Sequence, residues 1–157
     1  MSKDLRINKV NEVRKFIIES NIEIVKEIPE HEVFIVTSSE LGLKNLVIDL
    51  EDDQILFKIQ LGELKDTFED VDGTSVSRSD VEKEFMKLGN PFYEGGLKTG
   101  QFSLDEVNEN MLVFVEQEFL PSLTIESFQN VVNGFSETLV DKIDFIQYAI
   151  KIKEEVK

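Results

Sequence analysis

The chain has 157 residues, long enough to build a sizeable core without covalent staples, and it contains no cysteine. That excludes a disulfide framework, a thiolate metal site and a cysteine nucleophile, and it suits a reducing, cytoplasmic setting. Acidic residues outnumber basic ones 32 to 17, a formal charge of −15, which disfavours nucleic-acid phosphates and anionic membranes as partners. The charge is uneven. From Thr124 onward there are six acids and four bases, or −2, so residues 1–123 carry −13. Met1 to Arg6 has no apolar run of the secretory kind, and no apolar stretch approaches membrane-spanning length.

Asn8 to Asn21 places Val10, Val13, Phe16 and Ile17 on one side, which predicts a short amphipathic helix ended by Asn21. Two β-rich runs follow, Ile22 to Ile28 and Val33 to Val36, separated by a turn at Pro29-Glu30-His31-Glu32. The sequence leaves open whether they pair as a hairpin or form one interrupted strand. After a loop around Gly42, Leu46, Ile48 and Leu50 alternate with polar residues up to a Glu51-Asp52-Asp53 turn. Ile55, Phe57, Ile59 and Leu61 then give the cleanest period-two face of the chain.

Gly62 to Arg78 is acid-rich and aperiodic, and reads as a loop with at most one helical turn. Ser79-x-x-Glu82 has the form of a capping box, and Val81, Phe85 and Leu88 follow at helical spacing before Gly89 and Asn90-Pro91. A strand is expected over Gln101–Asp105, a turn over Glu106–Asn110, and a second strand over Met111–Phe119. Its Met111-Leu112-Val113-Phe114-Val115 run is apolar on both faces, as in an interior strand. Pro121 stops it and Thr124 is placed to cap a helix.

That last helix is expected to be long. Ile125, Phe128, Val132, Phe135, Leu139, Ile143, Ile146 and Ile150 are spaced 3, 4, 3, 4, 4, 3 and 4, one continuous stripe to about Ile152. Such a helix would measure roughly 40 Å. Its second half, with Ile143, Ile146 and Ile150, should pack on the first helix or on a second subunit. The expected fold is therefore a single α+β domain: an antiparallel sheet of five or six strands with three helices, in the order α-β-β-β-α-β-β-α.

Chemistry-bearing patterns are sparse. His31 is the sole histidine, so neither a paired-histidine metal site nor an HExxH motif can form. No serine lies in a Gly-x-Ser-x-Gly elbow. Setting Gly73 at the invariant glycine of a calcium loop puts Phe68 at the first ligand position and Ser79 at the twelfth, where oxygen donors and a bidentate Glu belong. Gly95-Gly96-x-x-x-Gly100 precedes a strand and lacks the lysine of a phosphate loop. Without tryptophan, and with a negative body, no stacking surface for single strands is expected. No catalytic residue, cofactor or metal is assigned. A hydrolase using scattered carboxylates is the weaker class of reading, since 32 acids allow arbitrary pairings.

One ordered series is more distinctive. Phe85-Met86-Lys87-Leu88-Gly89-Asn90-Pro91, Gly100-Gln101-Phe102-Ser103-Leu104-Asp105, Leu112-Val113-Phe114 and Leu123-Thr124-Ile125-Glu126-Ser127-Phe128 follow one another down the chain. This series resembles the YbjN-type domain and the related class I type III secretion chaperone (Tir-chaperone) fold, over roughly residues 8–150. The resemblance implies a non-enzymatic homodimer that binds an extended or partly unfolded segment of a protein partner. The candidate dimer or partner surface it implies is Val81, Phe85, Leu88, Phe92 and Tyr93, unless Phe85 and Leu88 face the monomer core instead. An acidic immunity or inhibitor protein that masks a basic toxin or nuclease site is the alternative, motivated by the −13 body.

Overall fold

The computed structural model describes residues 3–64, 67–69, 75–77, 101–104, 111–141 and 150–151, with side chains described over 3–61 and 111–139. Its contacts gather the chain into two compact units, Met1–Ile59 with Val115–Glu137, and Gln60–Phe114 with Thr138–Lys157.

The first unit opens with α1, Lys3–Glu19, five residues earlier than the spacing of its apolar stripe predicts. The extra turn carries no core residue, and tertiary bonds from Arg6 hold it, as described below. The helix ends where expected. Asn21 takes a left-handed φ of 58°, its N–H donates to Ile18 O at 3.1 Å, and the Ile22 N–H donates to Ile17 O at 3.2 Å. This pair of bonds is a Schellman motif, and Ile17 and Ile22 are both buried beside it.

The two β-rich runs pair as an antiparallel hairpin, β1 (Glu23–Ile28) against β2 (Val33–Ser38), across a 3-10 turn at Pro29–His31. A register shift between Ile24 and Lys26 leaves Val25 unpaired and exposed, an irregularity that blunts a sheet edge. Then come β3, Leu43–Glu51, and β4, Gln54–Leu64, antiparallel neighbours joined at Asp52-Asp53. Asp52 occupies the left-handed region at φ 49°, which Asp tolerates better than most residues. Four strands thus precede residue 65, which resolves the open question of the first two β-rich runs in favour of a hairpin.

The alternation does its work inside this unit. Phe34, Val36, Leu46, Ile48, Leu50, Ile55, Phe57 and Ile59 are buried, while the strand residues alternating with them, such as Ile35, Val47, Asp49, Leu56 and Lys58, are half-buried. The buried set meets α2, Ile125–Asp141. Thr124 caps that helix as expected: its Oγ1 accepts from the Ser127 N–H at 3.1 Å, and Ser127 Oγ accepts from the Thr124 N–H at 2.9 Å. The α2 stripe buries Phe128, Val131, Val132 and Phe135. Phe128 lies 6.0 Å from Phe16 and 5.7 Å from Phe57, and Phe135 lies 6.4 Å from Phe57, all at tilted angles. Each such ring contributes roughly 1.5–3 kcal/mol by burial alone.

In the second unit, the stretch expected to be a loop contains a small antiparallel hairpin, β5 (Thr67–Glu69) with β6 (Ser75–Ser77). Each strand is three residues long, too short to register as a period. β7 spans Gln101–Leu104 and β8 spans Met111–Phe119. Leu112, Val113 and Phe114 are buried in succession, as a strand apolar on both faces requires. The main sheet runs β1-β2-β3-β4-β8-β7 in hydrogen-bonded order, and every pairing whose register is described is antiparallel.

The long C-terminal helix is corrected. α2 is described as far as Asp141, and Ile150–Lys151 form a two-residue strand, β9, paired antiparallel with Glu63–Leu64 of β4. A helix continuous to Ile152 is incompatible with that pairing. The reason lies in both partners. Ile150-Lys151-Ile152-Lys153 alternates apolar and polar as a strand does, with β-branched residues that favour strands. β4 in turn outruns its described register with β3, which ends at Val47 opposite Lys58, so its last residues need other backbone partners. The helix expected over Val81–Leu88 and the turn over Glu106–Asn110 lie outside the described residues. Among the described residues, no helix is long and apolar enough to cross a membrane.

Candidate functional site

Of the surface residues singled out from sequence, Val81, Phe85, Leu88, Phe92, Tyr93, Ile143 and Ile146 lie outside the described residues. Ile150 is placed in β9, opposite Leu64. The expected surface is therefore not assembled from described side chains. A different feature stands out, and it lies wholly within the first unit.

Between α1 and the strand ends runs an open groove of about 1340 Å³. One wall is α1, from Lys3 to Arg14; the other is made by the Pro29–Glu32 turn and the Leu50–Asp53 turn. Val10, Val33 and Phe34 line it, together with Ile7, which is half exposed at 50%. Two arginines of α1 reach across. Arg6 donates through Nε to Glu32 at 2.5 Å and through Nη2 to Leu50 O at 2.8 Å, and its Nη1 donates to Asp52 O. Arg14 donates to both carboxylate oxygens of Glu27, at 3.1 and 2.5 Å, with its guanidinium 5.6 Å from the centre of the Phe34 ring.

Arginine is the residue for this work, because its planar fork satisfies two acceptors at once and stacks on a ring. Glu27 holds the Arg14 guanidinium above its ordinary pKa, first through the hydrogen bond and then through its charge, against the opposing effect of burial. Glu32 sits at a left-handed φ of 55°, uncommon for a residue of its type, and is fixed from three sides. Its side chain meets Arg6, its N–H donates to Pro29 O, and its carbonyl accepts from the Leu50 N–H.

The Leu50–Asp53 turn is anchored through its backbone. Asp52 O accepts from Arg6, and Asp53 O accepts from the Leu120 N–H at 2.8 Å. The side chains of Glu51, Asp52 and Asp53 remain exposed. Among the described residues no Lys or Arg forms a salt bridge with them or with Glu30.

One acid on the outer face of the sheet behaves differently. Asp49 of β3 is half-buried, with Val33 directly opposite on β2 and Leu56 directly opposite on β4. Its pKa is raised to about 6, first by desolvation between those apolar neighbours, then by the hydrogen bond and charge of Glu51; Arg6 and His31 pull the other way.

The groove was missed by reasoning from sequence because its ion pairs join residues 26 and 13 positions apart. A signal was nonetheless present. Two of the three arginines in this acidic chain fall on α1, at Arg6 and Arg14, with Val10 midway between them at spacings of 4. Among the described residues, no group of three or more His, Asp or Glu side chains is placed to hold a metal ion.

Comparison with known proteins adds a fold. No family model matches the chain, and no curated protein matches it. Among solved structures, the chain is similar to YbjN from E. coli, described as a candidate transcription regulator. The match has a TM-score of 0.57 and 15% sequence identity, and covers 91% of this chain and 96% of that one.

Proposed function

From a YbjN-like fold, we propose that this protein is a non-enzymatic, cytoplasmic protein-binding module, regulatory or chaperone-like, that takes an extended segment of a protein partner. The carrying observation is the groove along α1. Small-molecule sites are mostly enclosed, at about 300–1,000 Å³. This one is open, about 1340 Å³ in volume, and lined by apolar and charged groups together, a shape and chemistry suited to a polypeptide. The description of YbjN as a candidate regulator supports the regulatory half of the proposal. The likeness of the sequence to secretion chaperones supports the other half, along with a homodimer formed through the region of Val81–Tyr93 and Ile143–Ile150.

A photo-crosslinking residue at Asn11, on the groove wall, tests the binding role in living cells. The expected result is a small set of protein adducts absent when the same residue is placed at exposed Glu137. Identical adduct patterns from both positions would remove the proposal. Light scattering tests the dimer, which a monomer at high concentration would sink.

The formal charge of −15 favours a second reading, an acidic inhibitor masking a basic toxin or nuclease site. Its complex should weaken steeply with added salt. Salt-insensitive binding of whatever partner is found would count against it.

A further inference from the structure

We infer that the α1 groove receives a cationic amphipathic segment of a partner protein, with aliphatic side chains against Ile7 and Val10 and lysines or arginines at the turn rim. The inference rests on the protein-binding reading and names the chemistry of the partner.

The groove carries six acids and three bases. Arg6 and Arg14 are occupied by Glu32 and Glu27, which leaves Glu30, Glu51, Asp52 and Asp53 against Lys3 as the remaining base of the lining, a surplus of −3. The backbone that carries this surplus is held. The turn is pinned by Arg6 at Asp52 O and by Leu120 at Asp53 O, so the chain bearing the three consecutive acids of residues 51–53 is ordered before a partner arrives, and less ordering free energy is lost on binding.

Other occupants fit less well. A second copy of the chain would bring another body of −13 to a rim that is itself negative, and like charges facing each other oppose association. A bare metal ion would leave the apolar wall without a purpose, and the described carboxylates form no metal-holding group of three. Nucleic acid is repelled. A segment with aliphatic residues flanked by lysines answers both halves of the lining. Ile7, an apolar side chain 50% exposed in the groove wall, gives it a contact that pure charge attraction does not need.

The test uses the full chain and three synthetic peptides of equal length: a Lys/Leu amphipathic peptide, a Glu/Leu peptide and a Lys/Ser peptide. Binding is read by fluorescence anisotropy at physiological salt, and the contact surface by amide chemical shifts. The Lys/Leu peptide should bind and shift Ile7, Val10 and the 51–53 turn, with the other two at least tenfold weaker. E51Q/D52N/D53N should weaken it at least tenfold, whereas E23Q/E40Q/E137Q, with the same charge change at exposed sites outside the groove, should weaken it less than twofold. The D52N change keeps the left-handed turn accessible, because Asn adopts that conformation readily. I7S, at an exposed position, should weaken binding several-fold without loss of the folded spectrum. Equal losses from both triple variants, equal binding of the Lys/Ser peptide, or no binding to the wild-type chain would each overturn the inference. Adducts recovered by crosslinking in that last case would still support the protein-binding reading, so the two can fail separately.

Discussion

Both described helices are 17 residues long, yet they are secured by different forces. α2 buries Phe128, Val131, Val132 and Phe135 along one stripe and adds two side-chain tethers, Ser136 Oγ to Leu41 O and Gln129 Nε2 to Ser20 Oγ. α1 buries only Val13, Phe16 and Ile17, all in its second half, and leaves Leu5, Ile7 and Ile18 exposed. Its first half is secured by the Arg6 fork, which reaches the backbone carbonyls of Leu50 and Asp52 and the Glu32 carboxylate. One helix is held by dispersion and burial, which act on every atom of the contact. The other is held at its N-terminal end by a few directional bonds, which leave a groove beside them. A binding surface can exist along α1 because its first half is not committed to the core.

The largest expected effect comes from breaking the α2 side. Phe128→Ala removes the ring shared by Phe16 and Phe57 and should lower the unfolding free energy by about 3–5 kcal/mol, measured by urea denaturation. A loss below about 1 kcal/mol would mean that α2 is not the principal core helix. On the α1 side, Arg6→Met keeps the aliphatic stem and removes the fork, at an expected global loss of about 1–2 kcal/mol. The sharper readout is hydrogen exchange: amides in the first turns of α1 should exchange faster while those of α2 keep their protection. Uniform acceleration through both helices would show that the two are not separately secured.

The smallest effect concerns the outer face of the sheet. Because the folded state raises the Asp49 pKa to about 6, from an ordinary value of 3.8, the folded chain holds a proton there that the unfolded chain releases. Stability contributed through this group therefore rises as pH falls from about 7 toward about 4. Asp49→Asn should raise the Tm near pH 7.5 and flatten its pH dependence across that window relative to wild type. Since the carboxyl is partly solvated, the gain should be smaller than either loss above. Parallel Tm curves for the two proteins would rule out Asp49 as the source.

Much of the fold was legible because it is local. Asn21 as a helix stop, Thr124 as a cap and the β3–β4 alternation each depend on residues within a few positions of one another, where backbone conformation and side-chain direction are set by near neighbours. The strand at Met111–Phe119 was legible for a related reason, as the unbroken apolar run Met111–Val115 needs cover on both faces. The candidate site was not legible. Arg6 meets Glu32 and Leu50 only once α1 lies beside the strand ends, and in a chain with 32 acids no pattern along the sequence selects Glu27 and Glu32 as the partners. The β5–β6 hairpin escaped notice because three-residue strands carry no measurable period.

By itself the sequence determined the class: an antiparallel sheet with an amphipathic helix on its apolar face, in an acidic chain without cysteine. Tertiary structure decided the two features on which the functional reading turns. It placed Arg6 and Arg14 across a groove, and it placed Ile150–Lys151 in a strand. Ile143, Ile146 and Ile150 continue a helical stripe, while Ile150 to Lys153 alternates as a strand, so two periods coexist in one stretch and neither prevails locally. The strand prevails at Ile150–Lys151 because Glu63–Leu64 of β4 offers it backbone hydrogen bonds that only the assembled sheet can supply.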